Sequence, residues 1–99
     1  MGHNPRQRHY YVASAWWRGC DPFLTVVSTT ARKTENAVMK AVREEAQWAY
    51  DDGSYERVYE AVDDIRWSGV FPETEDFVRN NILDSSQMAE LKRNLIVYV

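Results

Sequence analysis

The chain has 99 residues, 44% of them hydrophobic and 13% aromatic, which is enough apolar material for one domain with its own core and too much for global disorder. The formal net charge is −3 and Cys20 is the single cysteine, so no internal disulfide can form and nothing points to an oxidising compartment. No stretch reaches the roughly 18 apolar residues of a bilayer span, no apolar run follows the basic N-terminus, and Arg6 stands where a myristoylation signal needs Ser or Thr; the expectation is a cytoplasmic protein with no membrane partner.

Residues 1–7 read as a flexible arm on a single domain that spans 1–99. From His9 to Trp17 the chain is rich in strand formers and free of Gly and Pro. Large aromatics fall on both faces of that strand. Arg18 to Pro22 is a turn punctuated by Gly19 and Asp21-Pro22, and Phe23 to Ser28 is a second strand, so the two form a hairpin. Thr34, with Glu35 behind it, suits a helix N-cap. Val38, Ala41, Val42, Ala46 and Ala49 then recur at helical spacing, and Gly53 is the expected stop.

Ser54 is placed to cap a second helix, with Tyr55, Val58, Val62 and Ile65 on one face and Gly69 at its end. Pro72 favours the start of a short helix that runs to about Asn81. Asp84 with Gln87 resembles a capping box, followed by a helix carrying Met88, Leu91 and Leu95. Residues 95–99 read as a third strand joining the hairpin; the alternative is a helix that continues to the end. The expected order is β-β-α-α-α-α-β. The fold class is α+β, with a small antiparallel sheet packed against three to four helices.

Charge is unevenly placed along the chain. Residues 1–43 carry seven bases and two acids, whereas residues 44–76 carry eleven acids against Arg57 and Arg66. A local net charge of −9 creates a field that steers a basic partner, unless the protein's own basic half neutralises it. Glu44, Glu45, Asp51, Asp52, Glu56, Glu60, Asp63 and Asp64 are the candidate partner-binding acids. Asp51 and Asp52 stand out because a helix C-terminus favours cations, not carboxylates. Trp48, Tyr50, Tyr59 and Trp67 lie at the edges of their apolar stripes, and Trp and Tyr are enriched in interface hot spots.

One cysteine and two histidines cannot build a structural zinc set, and no calcium loop, nucleophile elbow or phosphate-cradling glycine loop is present. No catalytic residue, metal ligand or cofactor is therefore assigned, and a non-enzymatic protein is expected. Arg6, Arg8, Tyr10, Trp16 and Arg18 interleave bases with aromatics, the chemistry of a stacking platform, and supply an alternative nucleic-acid-binding reading. A homodimer through a sheet edge at Tyr98 is a further alternative.

In size, in the hairpin leading through Thr34-Glu35 into an alanine-rich helix, and in its acid-rich helices, the chain resembles the small inhibitor proteins of phages and mobile elements, anti-CRISPR proteins among them. That resemblance implies an inhibitor or adaptor acting in the host cytoplasm. Its acidic face would engage a protein partner with a basic, nucleic-acid-binding surface.

Overall fold

The computed structural model describes residues 9–99; the arm expected at 1–7, and Arg6 and Arg8 with it, lie outside them. Strand β1 (His9–Trp17) and strand β2 (Pro22–Ser28) form the expected antiparallel hairpin, with Ala13 opposite Val26 and a bulge at Ala15/Trp16. Gly19 takes φ +79° in the turn, a conformation that costs glycine nothing. The C-terminal strand also forms. Residues Ile96–Tyr98 pair with the free side of β2, Val97 opposite Val27.

Two further strands lie on the other edge of β1, and both correct the sequence reading. Residues Ile65–Trp67 (β3) pair with Ala15–Trp17, and Phe71–Thr74 (β4) pair with His9–Val12. The helix expected from Ser54 to Gly69 shrinks to Val58–Asp63. Helical spacing of apolar residues continues through Ile65, but β1 offers an open ladder that satisfies the Ile65–Trp67 backbone, and sheet pairing wins there. Ser54 is no cap, because its hydroxyl donates to Asp52 Oδ1 at 2.6 Å. Pro72 sits in edge strand β4, where a missing N–H is tolerated, and not at a helix start.

Numbered in chain order, Ile96–Tyr98 is then β5. The sheet runs β3-β1-β2-β5, with β4 in line with β3 along the same side of β1. Ser68 bridges the gap between β3 and β4. Its N–H donates to Ser14 O and its Oγ accepts the Ser14 N–H, both at 3.0 Å. A side chain thus replaces a backbone carbonyl where the edge bulges, and the central strand loses no hydrogen bond.

Helix α1 (Ala31–Asp51) begins four residues earlier than the sequence suggests. Thr30 is its N-cap, accepting the Lys33 N–H at 3.1 Å. Thr34 is fully buried one turn into the helix. Its hydroxyl lies 2.8 Å from Ser28 Oγ and reaches the carbonyls of Thr30 and Tyr11. Gly53, at φ +91°, ends the helix as expected. The Ser54 N–H donates to Ala49 O and the Gly53 N–H to Tyr50 O, the paired bonds of a Schellman turn.

Helix α2 is Val58–Asp63, α3 is Glu75–Asn81 and α4 is Ser85–Asn94. Thr74 caps α3 and the Asp84–Gln87 capping box opens α4. Leu95, at φ +67°, turns the chain from α4 into β5.

Helices cover both faces of the sheet. Ala13, Ala15 and Val26 pack with Val38, Val42, Ala46 and Ala49 of α1 and Ala61 of α2. On the other face Tyr10, Val27 and Val97 pack with Val78, Met88 and Leu91 of α3 and α4. The neighbours Val26 and Val27 are both 0% exposed yet point to opposite layers, each burial being worth about 1.5–2 kcal/mol. This explains why β1 carries apolar residues on both faces.

Candidate protein-binding surface

The eight candidate acids lie on the C-terminal part of α1, on the loop after it, and on α2 and its C-cap, and each is at least partly exposed. Two have a basic partner: Glu44 lies 3.9 Å from Lys40, and Asp64 lies 3.7 Å from Arg18. Glu45, Asp51, Asp52, Glu56, Glu60 and Asp63 have no cation within ion-pair distance among the described residues. Among the described residues the basic half of the chain therefore makes few direct ion pairs with them. Glu73, Glu75 and Asp76 belong to β4 and α3, and Arg79 offsets Glu75 and Asp76 there.

Charge along α1 runs against the helix dipole. All four bases (Arg32, Lys33, Lys40, Arg43) lie in its N-terminal two-thirds, and three of its four acids lie beyond them, with no base in the last turn. That order is locally destabilising, since the C-terminus of a helix favours cations.

The four candidate aromatics are all exposed: Trp48 by 62%, Tyr59 by 59%, Tyr50 by 40% and Trp67 by 37%. They do not form one patch. Trp48 faces a cleft beside Ala49 and Ser54, while Arg57 lies over the Tyr59 ring at 6.0 Å. Trp67 stands opposite Ala15 at the sheet edge.

The sequence did not single out the two residues that organise the cleft, Trp17 and Tyr55. Trp17 ends β1, and Tyr55 sits in the loop before α2. Their rings stack with centroids 5.9 Å apart and planes 13° from parallel. The Trp17 indole N–H donates to Glu45 Oε1 at 3.4 Å. The Tyr55 hydroxyl donates to Asp64 Oδ2 at 3.0 Å. That bond to a carboxylate, followed by partial desolvation and the charge of Asp64, raises the phenol above its ordinary value; the Arg18 guanidinium acts the other way. The Arg18 N–H also donates to Asp64 O at 2.9 Å, so the end of β1 is tied to the α2–β3 junction. A helical reading of Ser54 to Gly69 put Tyr55 on a buried stripe and so hid this arrangement. The only available signal was Trp17 at a strand end next to a turn.

The stack separates two depressions. One, of about 190 Å³, is lined by Trp17, Trp48, Ala49, Ser54 and Tyr55. The other, of about 480 Å³, is lined by Trp17, Arg18, Cys20, Tyr55 and Asp64. Cys20 is exposed and His9 lies at the far end of β1, some 25 Å away at about 3.3 Å per residue, so the two cannot form a thiol–imidazole pair. Among the described residues no group of three His, Cys, Asp or Glu side chains could hold a metal ion. No helix there is long and apolar enough to cross a membrane.

The basic and aromatic residues of the hairpin are dispersed. Tyr10 is only 5% exposed and packs among α3 and α4, so its ring offers no stacking face; it donates to Glu75 Oε1 at 2.9 Å. Trp16 shares its sheet face but lies at the opposite end of β1, and Arg18 faces Asp64. At the other sheet edge, β5 leaves one side unpaired among the described residues, with Tyr98 exposed. No family model matches the chain, and neither a curated protein nor a solved structure is found to match it.

Proposed function

We propose that this chain is a non-enzymatic inhibitor or adaptor that binds a partner protein through the carboxylate-rich surface of α1 and α2. The partner surface is basic and of the kind that otherwise binds nucleic acid, as an anti-defence role would require. One observation carries the reading: among the described residues, six carboxylates between Glu45 and Asp63 have no cation within ion-pair distance, three of them within the last turns of a helix whose dipole disfavours them or at its cap. A solvated, neutralised surface would pair them with the bases of α1.

The test uses a labelled lysine octapeptide as a minimal basic surface, titrated by fluorescence anisotropy at low ionic strength. Changing Glu56, Glu60 and Asp63 to Lys should weaken binding about tenfold or more. The same charge change at Glu73, Asp76 and Glu90, on the other side of the sheet, should have a much smaller effect. Equal effects from both triple variants would reduce the surface to net charge and refute the reading. A parallel titration with labelled single-stranded DNA checks the nucleic-acid alternative, for which tight, salt-sensitive binding is the signature.

A further inference from the structure

The cleft between Trp48 and the Trp17–Tyr55 stack has a specific chemistry. Two of its walls are aromatic, and Trp48 makes no ring contact with either partner of the stack among the described residues. An indole left 62% exposed beside an open cleft of about 190 Å³ has apolar area still to be covered. Carboxylates stand at the margin of that cleft. Asp52 Oδ1 accepts both the N–H and the hydroxyl of Ser54, which lines the cleft, and Oδ2 accepts no hydrogen bond among the described residues. Glu45 reaches the opposite wall through the Trp17 indole, using Oε1, and its Oε2 accepts no hydrogen bond among the described residues.

A ligand for such a site must be flat, cationic and able to donate to carboxylates while lying on a ring. Arginine meets all three conditions. Its guanidinium is planar and weakly hydrated, stacks on aromatic faces, and keeps its in-plane N–H groups free for carboxylates. Lysine supplies the charge without the plane, and a neutral aromatic leaves the carboxylates unmatched. We infer that the Trp48 cleft receives an arginine side chain of the basic partner, seated against Trp48 and the Trp17–Tyr55 stack, with Asp52 and Glu45 as its acceptors. This rests on the proposed function and deepens it: the acidic surface supplies attraction, and the cleft supplies the anchor.

Titration of the full chain with an arginine octapeptide and a lysine octapeptide of the same charge tests it. The arginine peptide should bind about fivefold more tightly, the size expected of one guanidinium–indole contact at a partly exposed site. Trp48→Ala should remove that advantage, so that the two peptides bind with equal affinity, whereas Trp48→Phe should keep part of it. Trp48 is on the surface of α1, so neither change opens the core, and circular dichroism checks that the variants stay folded. By NMR the Trp48 indole N–H should shift with the arginine peptide while that of Trp16, on the opposite sheet face, stays. Equal affinity for the two peptides, or indifference to Trp48→Ala, overturns the anchor and spares the acidic surface provided the Glu56/Glu60/Asp63 reversal still weakens both. If that reversal changes nothing, the acidic surface fails and the anchor fails with it.

Discussion

An aspartate placed at position 30 or at position 34 should have opposite consequences. Threonine at an N-cap can be replaced by aspartate with little loss, because the carboxylate accepts the same backbone N–H and sits at the positive end of the helix dipole. Thr30 holds that position, exposed and bonded to the Lys33 N–H, so Thr30→Asp should leave stability within about 0.5 kcal/mol of the parent or raise it. Thr34 is 0% exposed and its hydroxyl faces Ser28 Oγ and two carbonyl oxygens, with no salt-bridge partner. A carboxylate there would be desolvated next to acceptors, at a cost of about 3 kcal/mol or more. In a domain of this size that is a fall of roughly 12–24 °C in Tm. Thr34→Val is the milder control. Ser28 Oγ keeps Thr30 O as an acceptor at 2.9 Å, so only about one hydrogen bond is lost, worth about 1 kcal/mol. Urea and thermal unfolding followed by circular dichroism measure all three. A Thr34→Asp variant within about 1 kcal/mol of the parent, with Thr30→Asp the more damaging, would move the start of α1 to Thr34 and refute the packing described here.

Other expectations follow from single contacts. Ser68→Ala removes the acceptor of the half-buried Ser14 N–H at the centre of the sheet and should destabilise the fold by about 1–2 kcal/mol; a neutral result would mean that water replaces the hydroxyl freely. Arg79, and then the Tyr10 hydroxyl, hold the Glu75 carboxyl below its ordinary value. A carboxyl lowered by folding contributes stability above its unfolded pKa and loses it as pH falls through the folded one. The stability gap between the parent and Glu75→Gln should therefore be open at neutral pH and close in acid; a gap independent of pH would contradict the pairing. For Tyr55 the shift is upward, so its contribution is present throughout the neutral range and is lost only as pH rises past the ordinary phenol value of 10.0 and through the folded one. Ultraviolet titration of the parent against Tyr55→Phe should show a late-titrating phenol, and its absence would remove the Asp64 bond.

How much of this was legible depended on the length of each signal. The hairpin, the stripe from Val38 to Ala49, the Gly53 stop and the Asp84–Gln87 box are signals of many residues or of fixed chemistry, and each has its counterpart in the fold. Residues 65–67 and 71–74 are too short to show alternation, and their pairing is set by the free edge of β1, far away in sequence. Thr34 carried the right chemistry for a cap, but Thr30 carries it too, and burial decides between them. The charge of the acidic stretch could be counted in the sequence; that six of its members have no cation within ion-pair distance among the described residues could not, since pairing is a property of the folded surface. The Trp17–Tyr55 stack joins residues 38 positions apart and needed the fold to bring it together.

The reversed charge order of α1 has a thermodynamic consequence. A helix end burdened by its own carboxylates is held below the stability its packing would otherwise give it, and that deficit is relieved by positive charge supplied from outside. Folding and recognition then draw on the same term: whatever brings cations to Glu45, Asp51 and Asp52 also tightens the last turn of the helix. The turn at Gly53, which positions Ser54 and Tyr55 beside Trp48, should therefore gain hydrogen-exchange protection when a cationic partner is seated there.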